Sequence, residues 1–113
     1  MEQNIRIPVD LSRAQYLVTA NAGPKVADRR TGQQKVESKS GLPMWTTELT
    51  QIGANGARVI QVTTVGQSAP AVAVGQTVIP EGLEAMPWQS GTGSEARFGV
   101  AYRADDLRVA VAA

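Results

Sequence analysis

Five cations, Lys25, Arg29, Arg30, Lys35 and Lys39, face only Asp28 and Glu37 within residues 25–39, a stretch almost without apolar side chains. Lysines and arginines on a loop can follow a phosphate backbone and release its counterions, which gives affinity independent of base sequence. The same composition also suits a solvated hairpin loop. A single-strand binder needs flat rings as well, because a base stacked on an aromatic side chain is worth roughly 1–3 kcal/mol. The chain offers Tyr16, Trp45, Trp88, Phe98 and Tyr102. In a sequence with so few aromatics, Trp45 and Phe98 are expected in the core. Trp88, beside Pro87 and ahead of a glycine-rich loop, is the stacking candidate, with closure of a barrel as its competing role. Tyr102 is the alternative stacking residue, and Arg58 joins the loop cations as a backbone contact.

Other chemistry is largely excluded by composition. The chain has no Cys and no His, which removes disulfides, thiolate nucleophiles, and the usual nucleophile–imidazole arrangements. The commonest nitrogen ligand for zinc is missing too. Gly91-Thr92-Gly93-Ser94 lacks the Lys-Ser/Thr ending and the following helix that make a phosphate loop work. Asp105 and Asp106 are adjacent, so on an extended chain they point apart and cannot share a proton-transfer task. The expectation is a protein with no catalytic residues, no metal and no cofactor.

The elements that must position these residues read as strands. β-Favouring runs occur at residues 16–26, 44–52, 58–65, 77–80 with 83–88, 96–103 and 107–111, separated by Gly, Pro, Asn and Ser. The first, broken by Asn21-Ala22-Gly23-Pro24, reads as a long strand with a bulge. Asn55-Gly56 marks a hairpin. Pro80 marks an edge strand or a strand in two pieces. Residues 1–14 read as flexible or as one helical turn capped by Asp10 or Ser12. At 113 residues one domain is expected, an all-β, five-stranded OB-type Greek-key barrel with long loops at 27–40 and 87–94. No apolar run approaches the roughly 20 residues that span a bilayer, and the N-terminus has no signal-like apolar core. A cytoplasmic protein is expected. Charge is divided: residues 1–40 carry seven bases and four acids, whereas residues 41–113 carry four bases and six acids. Such asymmetry is what a basic face requires.

Asp28-Arg29-Arg30-Thr31-Gly32, then Lys35-Val36-Glu37 and Gly41-Leu42-Pro43-Met44-Trp45, resembles the plasmid replication, integration and excision activator proteins of actinomycete mobile elements. In their Thr-Gly-Leu-Pro-Val-Trp pattern, Ser40 here stands for Thr and Met44 for Val. The second half, with Gly41-Leu42-Pro43, a hairpin over residues 45–64 and Leu107-Arg108-Val109, is similar to the small single-stranded DNA-binding proteins of filamentous phage. These resemblances imply an accessory role in replication or transfer of a mobile element through single-stranded DNA. The expected partner is therefore a single strand contacted by Lys25, Arg29, Arg30, Lys35, Lys39 and Arg58, with Trp88 or Tyr102 stacking. A homodimer is expected through the edge at residues 77–85. The rival reading is a protein-interaction module without nucleic acid, associating through the Ala/Val-rich residues 69–74 and 109–113.

Overall fold

Alternation of inward aliphatic and outward polar residues builds the sheet. In the computed structural model, which describes residues 5–110, the strands are β1 (Ile7–Pro8), β2 (Ala14–Pro24), β3 (Val26–Asp28), β4 (Gln33–Gln34), β5 (Met44–Gly53), β6 (Gly56–Val65), β7 (Thr77–Glu81), β8 (Glu84–Ser90), β9 (Arg97–Arg103) and β10 (Asp106–Val109). No α-helix occurs among the described residues, only two 3-10 turns. One of them, Leu11–Arg13, is capped by Asp10, whose carboxylate accepts from the Ser12 N–H at 3.0 Å.

The fold is all-β. Eight strands form one curled mixed sheet in the order β1-β8-β9-β6-β5-β2-β7-β10, and β3 with β4 forms a separate two-stranded sheet. Every pairing is antiparallel except β6 with β9. Tyr16 and Val18 of β2, Leu49 of β5, Ile60 and Val62 of β6, Val78 of β7, Tyr102 of β9 and Leu107 of β10 point into the core, joined by Leu83 and Ala104. A fully buried aliphatic side chain contributes about 1.5–3 kcal/mol. β2 carries two register shifts against β5, between Val18 and Ala20 and between Ala20 and Gly23, so the expected bulge is present.

β7 and β8 are two halves of one path. Val78 lies opposite Val109, Glu81 opposite Asp106, Glu84 opposite Arg103 and Ser90 opposite Arg97. The register is therefore constant along a single long hairpin, interrupted only where Gly82-Leu83 faces Ala104-Asp105. On one side of this kink β7 pairs with β2, and on the other β9 pairs with β6.

Several expectations change here. The five-stranded count is replaced, among the described residues, by ten strands in two sheets, because the kink splits both arms of the hairpin, Ile7–Pro8 adds a strand on β8, and β3 with β4 forms the second sheet. The segment at residues 77–85 is not an edge: β7 lies between β2 and β10, and the start of β8 between β1 and β9. Pro80 tolerates this position for a geometric reason. The Thr77 and Glu81 carbonyls accept from Ala110 and Asp105 on the β10 side. Strand alternation turns the Pro80 nitrogen to the opposite edge, where β2 pairs only with Thr77 and Val78. The β5–β6 hairpin exists, but Gly53 pairs with Gly56, so its two turn residues are Ala54 and Asn55.

Residues 25–43 do not form an irregular loop. The β3–β4 hairpin and the Val36–Pro43 bridge order them. Lys25 N–H donates to the Met44 carbonyl at 3.0 Å, and Met44 N–H to the Lys35 carbonyl at 2.9 Å. The loop expected at 87–94 starts later, since β8 continues to Ser90 and carries Trp88 within the strand. Among the described residues no helix is long and apolar enough to cross a membrane. The expected interface segment at residues 109–113 lies largely outside the described residues.

Gly82 has φ +66°, and a Cβ there would collide with the Asp105 carboxylate. Gly82→Ala is expected to cost about 1–2 kcal/mol from the left-handed backbone alone, lowering the thermal midpoint by about 4 °C or more. Differential scanning calorimetry checks this.

Candidate nucleic-acid interface

The only parallel pairing in the sheet creates the groove. β6 and β9 pair through Val62 with Tyr102 and Thr63 with Arg103, and no ladder joins residues 56–61 of β6 to residues 97–101 of β9. A groove of roughly 550 Å³ opens there, lined by Lys25, Thr46, Arg58, Val59, Ile60, Gln61, Thr63, Trp88, Val100, Ala101 and Tyr102. Thr46 and Thr63 are opposite each other in the β5–β6 register, as are Glu48 and Gln61, so these four share one face. That face is the outer one, because the alternating partners Thr47, Leu49, Ile60 and Val62 are buried.

Trp88 lies across Gly99, its cross-strand partner. A Cβ at Gly99 would fall inside the indole, so the glycine is what allows the ring to lie against the backbone. One ring face is covered in this way, yet the residue remains 47% exposed. The register places Arg97, opposite Ser90, on the same face of the hairpin as Trp88.

Arg58 is held without a carboxylate. Its Nη2 donates to the Tyr102 hydroxyl, its Nε donates to Gln51 Oε1 at 3.2 Å, and the guanidinium lies 5.9 Å from the Tyr102 ring centroid. Gln51 Nε2 in turn donates to the Tyr16 hydroxyl at 2.9 Å. Two core tyrosines thus anchor a cation at the groove while leaving its charge unneutralised.

Lys25 Nζ donates to Thr63 Oγ1 at 2.9 Å. Partial burial, followed by the charges of Lys35 and Arg103, lowers the Lys25 pKa from its ordinary value. Lys35 and Arg103 therefore stand near Lys25, though neither lines the groove. Arg103 is paired with Glu37. A hydrogen bond from Ser40 and another from Arg103 hold the Glu37 carboxyl below the usual carboxylate range. Among the described residues, Arg6, Arg13, Arg103 and Arg108 have a carboxylate within salt-bridge distance. Lys25, Arg29, Arg30, Lys35, Lys39, Arg58 and Arg97 make no such pair among those residues.

Of the residues singled out from sequence, the structure brings Lys25, Arg58, Trp88 and Tyr102 into the groove, with Lys35 close enough to Lys25 to perturb it. Arg29 and Arg30 sit in the turn of the β3–β4 hairpin and Lys39 in the turn at 38–40, none of them lining the groove. Tyr102 is 7% exposed. Its ring belongs to the core and is closed to a stacking base, so it contributes only its hydroxyl, as a partner for Arg58. Phe98 reverses the other way: it is 72% exposed, not buried, because it lies on the part of β9 where no residue before Tyr102 is buried. Trp45 is half-buried and lies outside the core cluster, donating its indole N–H to the Gly66 carbonyl at 2.9 Å.

Sequence reasoning missed Thr46, Gln61, Thr63, Arg97 and Arg103. The outward positions of β5 and β6 were available from alternation, but their convergence with β9 depends on a parallel pairing that adjacent sequence does not signal. Chemically, the groove joins unneutralised cations, hydroxyl and amide groups, and one open aromatic face. That set suits a polyanion bearing planar groups. No family model, curated protein or solved structure matches the chain.

The lowered Glu37 pKa means that this carboxylate stabilises the fold above its unfolded pKa, and that the contribution disappears as pH falls through the lower folded value. Glu37→Gln is expected to be less stable than wild type at neutral pH, with the difference shrinking at acid pH. Urea midpoints measured across that range test the sign.

Proposed function

We propose that this chain is a non-catalytic OB-type protein that binds single-stranded DNA along the groove between β6 and β9, in an accessory role in replication or transfer of a mobile element. The pairing cycle supports the OB-type reading. β2 pairs with β5, β5 with β6, β6 in parallel with β9, and β9 with β8. β8 continues through the Gly82 kink into β7, which pairs with β2. Counting each arm of the kinked hairpin once leaves five principal strands, and this barrel type presents outer strands and adjacent loops to oligonucleotides.

The observation that carries the function is Trp88 on Gly99, one face open, beside Lys25 and Arg58. An open indole face rewards an unstacked base, which a single strand supplies and an intact duplex withholds. Lys25 and Arg58, which line the groove and have no carboxylate partner among the described residues, supply counterion release. The mobile-element role rests on the Asp28–Gly32 and Gly41–Trp45 blocks of sequence.

A protein-interaction module is the second reading, favoured by exposed Phe98 and Val100, 72% and 49% accessible, on the projecting hairpin. A homodimer through that hairpin, and not through residues 77–85, would be its form.

Fluorescence anisotropy with a labelled oligothymidine across a salt series tests the first reading. Trp88→Ala is expected to weaken binding by about 5- to 150-fold, the stacking contribution of roughly 1–3 kcal/mol. Lys25→Ala is expected to reduce the salt slope by about 0.7. Affinity indifferent to salt and to Trp88 would contradict the proposal and favour the interaction module.

A further inference from the structure

The cations of residues 25–39 fall into two stations of different chemistry. Lys25 is at the groove, hydrogen-bonded to Thr63. Arg29 and Arg30 are exposed at the far end of the β3–β4 hairpin, five residues along an extended strand, hence up to about 17 Å from Lys25. Their turn is ordered: Arg30 N–H donates to Asp28 Oδ1 at 2.9 Å, and Gly32 N–H to the Asp28 carbonyl at 2.8 Å. Neither guanidinium has a carboxylate within salt-bridge distance among the described residues, and residues 25–43 contain no aromatic side chain.

The hairpin tip can therefore engage phosphates but cannot stack on bases. Phosphate-only contacts gain more on a duplex than on a single strand, since each releases about 0.9 counterions on B-DNA and about 0.7 on a single strand. Trp88 has the opposite preference, because its open face requires an unstacked base. Resting on the groove reading above, we infer that the chain binds a junction, with single-stranded DNA in the groove and the adjoining duplex backbone against Arg29 and Arg30. A partly single-stranded duplex gives each station its preferred form at once, which neither a blunt duplex nor a single strand does.

The test is anisotropy at one moderate salt concentration with three labelled probes: a single strand of about 20 nucleotides, a blunt duplex of the same length, and that duplex with a single-stranded tail of about 10 nucleotides, within the span of one OB groove. Wild type is expected to bind the tailed duplex about ten-fold more tightly than either other probe. Arg29→Glu/Arg30→Glu, and the milder Arg29→Gln/Arg30→Gln, are expected to abolish that advantage while leaving single-strand affinity within about two-fold. Two outcomes overturn the junction and leave the groove reading intact: single-strand binding with no added affinity for the tail-bearing duplex, or an equal loss on both probes in the arginine variants. Absence of single-strand binding by wild type overturns both.

Discussion

A single interruption in a long antiparallel ladder governs the architecture. From Val78 opposite Val109 to Ser90 opposite Arg97 the register never slips, yet the hairpin must meet β2 at one end and β6 nearer the middle. Gly82, with its positive φ, and Asp105 beside it turn the paired strands between those two demands. Below the kink the hairpin buries Val78, Pro80 and Leu107, and above it Tyr102. The curl of the sheet, the parallel contact of β9 with β6 and the cleft beside that contact all follow from it.

Beyond Ala85 and Tyr102 the same hairpin leaves the core. Its last residues, on β8 and β9, include no buried side chain. A two-stranded ribbon is marginal on its own in water, so contacts within the ribbon matter, and Trp88 over Gly99 is such a contact. The interaction that covers the glycine also presents the indole to the groove. Structure and the proposed binding thus draw on one side chain, and cations held by Thr63 and Tyr102 stand beside it with their charge free.

Much of this was legible in the chain. The strands at 16–26, 44–52, 58–65 and 96–103 follow from β-branched and aliphatic runs between turn residues, and the bulge in β2 from Asn21 to Pro24. The groove residues Lys25, Arg58 and Trp88 were visible by type. What stayed hidden depends on pairings distant in sequence. Pro80 suggests an edge until the alternation of Thr77 and Glu81 toward β10 is known. Tyr102 and Phe98 look equivalent in sequence, four positions apart on one strand, and differ only because the core ends between them. The basic segment reads as loop because no apolar alternation marks it, whereas backbone bonds linking Lys25, Lys35 and Met44 order it.

The most direct measurement is a ¹H–¹⁵N shift map of the labelled protein titrated with a short oligothymidine. The account predicts the largest changes at the Trp88 indole, the Arg58 Nε–H and the backbone of Val59 and Gln61, with the Trp45 indole unmoved. Changes confined to β1 or β10, or none at saturating oligonucleotide, would contradict a binding groove between β6 and β9.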